Sequence, residues 1–147
     1  MNDIISNAEV HIPEVKHTDF KIPASIEENL FDAVGRAVTE MSKQINAAAI
    51  VAFTSKGRTA INLAKFRPNA KIIALSDSFE TMNKLCLRWG VISIFLEDLK
   101  KENLIIDKAK KLIVENGQVK EGDIVVFTAG APYSEKNRIN WLKFEVI

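Results

Sequence analysis

The chain has one cysteine, two histidines and almost no charge imbalance, and each shortage removes a class of function. A lone Cys86 closes no internal disulfide. It lies in TMNKLCLRWG among apolar residues at helical spacing, so the sequence predicts a buried structural thiol rather than a nucleophile. Both histidines, His11 and His17, precede the first strong helical pattern. No His/Cys set with metal-ligand spacing remains, and no Ser/His/Asp or Cys/His constellation converges. Twenty basic and nineteen acidic side chains leave a net charge of +1, which argues against nucleic-acid and membrane-surface binding. No apolar run approaches the roughly 20 residues of a membrane helix. The opening MNDIISNAEV has no basic n-region, so it does not read as a signal peptide, and the cytoplasm is the expected compartment. Internal repeats and low-complexity tracts are also missing.

What is there suits one α/β domain. The 147 residues are 47% hydrophobic, enough for one packed core. Residues 1–8 read as a short helix, and EVHIPEVKHTDFKIPA, ending at residue 24, reads as an extended leader with two prolines. SIEENLFDAVGRAVTEMSKQIN follows as the clearest helix. Ser25 and Glu28 have the spacing of a capping box, and Ile26, Leu30, Val34, Ala37, Val38, Met41 and Ile45 recur every three to four residues. Ala33 and Ala37 suit close packing on a sheet or a partner helix.

AAIVAFT (48–54) is apolar without alternation, as in a strand buried on both faces. A helix over TAINLAKF comes next and ends at Arg67-Pro68. KIIALS (71–76) and VISIFLE (91–97) are further strands, separated by a helix over 77–89 capped by Asp77 or Ser78 and stopped by Gly90. A helix over 99–117 leads to strands at 123–130 and 141–147. The order α-β-α-β-α-β-α-β-β predicts a three-layer α/β/α fold around a five-stranded, mostly parallel sheet. The last connection is too short for a crossover helix, so the fifth strand is expected to be antiparallel and at an edge. With the order 3-2-1-4-5, the first and fourth strands are neighbours. The loops 54–59 and 128–138 then face one crevice at a topological switch point.

The first of these loops, Thr54-Ser55-Lys56-Gly57-Arg58-Thr59, has phosphate-binding chemistry. Gly57 permits close backbone approach, the following helix directs its N-terminal amides at the loop, and hydroxyls and two cations flank it. It matches neither G-x-x-x-x-G-K-[ST] nor G-x-G-x-x-G. Plainer roles remain open: Ser55 or Thr59 as a helix cap, Gly57 as a turn, Lys56 and Arg58 as surface charges. Asp77 is the one carboxylate at a strand's carboxyl end near the crevice, and capping is its simpler role. Trp89 and Trp141 read as core or interface.

Taken together, AIVAFTSKGRTAINLAKFRPNAKIIALSDSFETMNKLCLRWGV and VKEGDIVVFTAGAPYSEKNRINWLKFEVI resemble the C-terminal α/β domain of pyruvate kinase over residues 25–147. The family pattern has a Thr-x-Ser/Thr-Gly-x-Ser/Thr-Ala loop, a Tyr-Arg-Pro helix end, a Trp-Gly-Val turn and a Gly-Asp-x-Val-Val strand leading to Thr-Ala-Gly-x-Pro. Residues 1–24 resemble the end of the family's catalytic barrel and its exit linker. The resemblance implies a domain that makes subunit contacts in a homo-oligomer. It also implies an allosteric effector: fructose 1,6-bisphosphate, AMP or a sugar monophosphate. Catalysis, magnesium and often potassium belong to the barrel, which takes about 250 residues. The expectation is therefore that this chain alone holds no cofactor, metal or catalytic residue. Its partners would be the barrel domain, further copies of the chain and a phosphorylated small molecule.

By position, Thr54 to Thr59 form the effector-phosphate cradle, and the segment from Ala131 to Asn140 closes over the sugar. Thr128, Gly130, Lys136 and Arg138 are the candidate effector-loop residues. Two departures from the family pattern bear on the ligand. Lys56 replaces a serine or threonine, and YSEKNRIN has no glycine and carries Ile139 where threonine is expected. Both favour a monophosphate, or a lost effector response, over a bisphosphate. The alternative reading is a structural dimerisation module with a vestigial pocket, which the edge strand WLKFEVI suits.

Overall fold

The computed structural model describes residues 25–97, 105–129 and 141–147, together with Ile4. The predicted helix over 1–8, the leader and the closing loop lie outside those residues, Ile4 apart. The start of the helix predicted from residue 99 also lies outside them.

From residue 25 onward the described residues form α1 (Ile26–Gln44), β1 (Ala49–Phe53), α2 (Arg58–Lys65), β2 (Lys71–Ser76), α3 (Phe79–Leu85), β3 (Val91–Phe95), α4 (Ile105–Glu115), β4 (Ile124–Ala129) and β5 (Trp141–Val146). The five strands form one sheet in the order β3-β2-β1-β4-β5. All neighbours are parallel except β4 and β5, where Ala129 pairs Trp141 and Ile124 pairs Val146 in antiparallel register. Fold class, strand order and the antiparallel edge thus follow the sequence pattern.

The continuous apolar runs mark strands covered on both sides. Every residue of β1 is buried, as is every residue of β2 after Lys71. On one face Ile50, Ala52, Ile72, Ala74 and Val126 meet Val38 of α1, Ala60 and Leu63 of α2 and Leu85 of α3. On the other, Val51, Phe53, Leu75, Val125 and Phe127 meet Ile105, Ala109 and Ile113 of α4. Each Val, Leu, Ile or Phe side chain removed from water contributes about 1.5–3 kcal/mol and each alanine methyl less, so these two clusters are what hold the layers together.

α1 begins as expected. The Ser25 hydroxyl accepts the Glu28 N–H, and the Glu28 carboxylate accepts the Ser25 N–H. Its buried side differs from the predicted stripe. Val38 is buried, but Ile26 and Leu30 are 79% and 59% exposed, and Ala33 and Ala37 also face solvent. The close approach to α2 is made instead through Gly35. A Cβ there would stand 2.5 Å from Asn62 Nδ2 and 2.8 Å from Phe66 Cε2. Asn62 in turn donates to the Phe31 carbonyl at 2.8 Å, tying α2 to α1.

Cys86 is a second correction, because it is exposed. The helix predicted over 77–89 spans Phe79–Leu85, with Ser78 rather than Asp77 as its cap. It ends one residue before the cysteine, so Thr81 and Leu85 make its buried side. Trp89 lies beyond the helix, 43% exposed, with the Arg67 guanidinium 4.6 Å over its ring.

Candidate functional site

The loop between β1 and α2 leaves the sheet at its carboxyl edge. Thr54 is buried, and its N–H bonds the Leu75 carbonyl at 2.9 Å, continuing the parallel ladder one step past β1. The chain then turns through Ser55 and Lys56, both exposed, to Gly57 in the left-handed region (φ 78°). Gly57 is the N-cap of α2, and no side chain caps the helix; neither Ser55 nor Thr59 takes that role. Among the described residues, the N–H groups of Ser55 through Thr59 find no acceptor. Unpaired amides at a helix start, facing the positive end of its dipole, form a place for an anion.

The loop is braced from α3. The Ser76 hydroxyl, at the end of β2, accepts the Ser78 N–H at 3.2 Å. The Ser78 hydroxyl accepts the Thr81 N–H at 3.3 Å, and the Thr81 hydroxyl donates to the Ser55 carbonyl at 2.8 Å. A Cβ on Gly57 would meet Thr81 Cγ2 and Leu85 Cδ2, both at 3.3 Å. Glycine is therefore required here twice, by a positive φ and by contact with a neighbouring helix. Sequence reasoning found the glycine but not Thr81. Its partner is 26 positions away, and a threonine inside a helix carries no local sign of such a contact.

The two cations of the loop are placed differently. Arg58 holds its guanidinium 5.5 Å from the centre of the Phe31 ring on α1, a cation–π arrangement. Lys56 is exposed and, among the described residues, makes no ion pair. Across the switch point, Ala52 of β1 pairs Thr128 of β4, which brings the ends of these strands side by side. Thr128 is fully buried and donates its hydroxyl to the Trp141 carbonyl at 2.8 Å, fastening β5. Gly130, Lys136 and Arg138 lie outside the described residues. Asp77 is exposed and caps nothing. Among the described residues no group of three or more His, Cys, Asp or Glu side chains is placed to hold a metal ion, and no helix is long and apolar enough to cross a membrane.

Among the described residues, the largest pKa shift lies on β5, away from this loop. Glu145 accepts from Lys110 of α4 at 2.7 Å and from Lys143 at 2.6 Å. These two ammonium groups, Lys110 first, pull its pKa from 4.5 down to about 2. Glu80 is lowered by the hydrogen bond and charge of Lys84 one helical turn away.

Residues 32–144 match the family model described as pyruvate kinase, alpha/beta domain. The chain belongs to that family. It is 34% identical over 122 residues to pyruvate kinases of Staphylococcus haemolyticus, Staphylococcus epidermidis and Staphylococcus aureus. The matched stretch covers 83% of this chain and 21% of each relative, so the chain spans about a fifth of the length of these curated relatives. Membership of the pyruvate kinase family agrees with the five-stranded α/β fold.

Proposed function

We propose that the chain serves a pyruvate kinase as its effector-binding and subunit-contact domain, and that the loop from Thr54 to Thr59 takes a phosphate monoester. The observation that carries this reading is the run of unpaired amides from Ser55 to Thr59 at the start of α2. The loop amides and Lys56 serve one phosphate group, while Arg58 is engaged on Phe31. That arrangement suits AMP or a sugar monophosphate better than fructose 1,6-bisphosphate. Transfer of phosphate between phosphoenolpyruvate and ADP, with magnesium and often potassium, is assigned to a barrel domain of the same cytoplasmic, glycolytic enzyme. Calorimetric titration with AMP and with fructose 1,6-bisphosphate tests the reading. Binding of AMP that weakens when Lys56 becomes serine supports it, and micromolar binding of the bisphosphate refutes the monoester assignment.

Subunit contact rests on a separate observation. Leu142, Phe144 and Val146 of β5 pair with Thr128, Val126 and Ile124, so they lie on the face that carries α1. Phe144 and Val146 are 62% and 61% exposed there, and Ile26 and Leu30 of α1, a helix that rests against β4, are exposed as well. An apolar row on an edge strand is a surface suited to a second copy. This favours a second reading, a dimerisation module with a vestigial pocket. A thermal-shift screen of phosphates against the wild type and Lys56→Ser separates the two, since no ligand-dependent shift in either form leaves only the structural role. Sedimentation of Phe144→Glu tests the surface itself: the variant is expected to be monomeric at concentrations where the wild type self-associates.

A further inference from the structure

The β1–α2 loop does not hold its own shape. Its turn contains no side-chain cap, one residue with positive φ and, among the described residues, five successive amides without acceptors. Such a segment has many alternative conformations unless something outside it selects one. The hydroxyl relay on its flank does this. Ser76 is anchored at the buried end of β2 and fixes the Ser78 backbone; Ser78 caps α3 through Thr81; Thr81 reaches out to the Ser55 carbonyl. The same Thr81 methyl lies against the position where a Gly57 side chain would be. One residue of α3 therefore touches the loop on both sides of Lys56, by a hydrogen bond at Ser55 and by packing at Gly57.

We propose that Thr81 is the positioning residue of the loop. By holding the Ser55 carbonyl toward α3, it turns the amides that follow toward solvent in the arrangement an oxyanion needs. Reversing the Ser55–Lys56 peptide would aim a carbonyl at the anion instead. The Thr81 side chain is itself largely buried and so contacts no ligand; it acts through Ser55 and Gly57. The hydrogen-bonding argument is independent of which phosphate binds, but the assignment of the loop to an effector rests on the functional reading above.

The test compares Thr81→Val, which keeps the shape and removes the hydroxyl, with Thr81→Ser, which keeps the hydroxyl. The first readout needs no ligand. Limited trypsin digestion with mapped cleavage sites is expected to cut after Lys56 about fivefold faster in Thr81→Val, the effect of one lost hydrogen bond on local opening. Cleavage after Lys108 and Lys111 on α4 should stay unchanged, and Thr81→Ser should restore the wild-type rate at Lys56. Equal rates at Lys56 in wild type and Thr81→Val overturn the proposal. The second readout is calorimetry with AMP, where Thr81→Val should weaken binding by about the same factor and Thr81→Ser should not. AMP affinity unchanged by Thr81→Val also overturns it. Failure of the wild type to bind any phosphate refutes the effector reading alone, and the trypsin comparison still decides the role of Thr81.

Discussion

The two faces of the sheet are built from different materials. The face under α1, α2 and α3 is lined by small residues, with Ala52 and Ala74 in the strands and Ala60 in α2. Helices lie close there, and polar groups join them: Asn62 to Phe31, Lys65 to Asp32, Thr81 to Ser55. The face under α4 carries the aromatic rings Phe53, Phe127 and Trp141. Phe53 stacks on Phe127 with ring centres 6.2 Å apart and meets Trp141 in a tilted arrangement at 6.1 Å, and α4 packs against this cluster. Bulk fills space with few partners, whereas small residues bring three helices close enough to need specific polar ties. The candidate site is on the side of the ties, and α3 reaches the loop only because that packing is tight.

Removing bulk from the aromatic face should have the largest effect. Phe127 is fully buried, so Phe127→Ala is expected to cost about 3–5 kcal/mol, read by urea unfolding. Adding bulk to the close-packed face should cost less. Gly35→Ala puts a methyl group into Asn62 and Phe66, for about 1–3 kcal/mol. If this substitution were neutral, the view of that face as tightly fitted would fail. Gly57→Ala is expected to cost about 1–2 kcal/mol for its positive φ, and in addition to weaken phosphate binding.

The smallest effect concerns the link between α4 and β5. The pKa of Glu145 is depressed in the folded chain, from 4.5 to about 2, so its ionised form favours the native state. The stabilisation is complete above pH 4.5 and is lost as pH falls through the interval down to about 2. Urea midpoints of wild type and Glu145→Gln should differ at pH 6 and converge toward pH 2. A constant difference across that range would remove the ionised carboxylate as the cause.

The sheet was legible in the sequence because its signals are local. AIVAF and KIIALS are apolar throughout, the capping box is a fixed spacing, and a ten-residue link between the last two strands leaves no room for a crossover. The helix surfaces were not legible to the same degree. The period along α1 marks an apolar stripe, but it does not say which part of the stripe is covered, and Ile26 and Leu30 stay exposed. Cys86 followed a helical spacing that stops at Leu85, since nothing in TMNKLCLRWG signals an end before Gly90. At the site, the glycine and the flanking hydroxyls were visible, and the loop was placed where a switch-point ligand would lie. The brace from Thr81 was not, because tertiary hydrogen bonds leave no periodic trace.

The position of β1 at the centre of the sheet also sets an order of assembly. β1 pairs β2 after one short crossover, but its other neighbour is β4, with Ala49 opposite Val125. Everything from α2 to α4 must be made before that seam can close, and long loops close slowly relative to local pairs. β4 and β5 are adjacent in the chain and are free to pair early. Folding is therefore expected to produce two partial sheets whose joining is the late step. The loop after β1 and the end of β4 meet along that joining line, so the proposed site takes shape only when folding is complete.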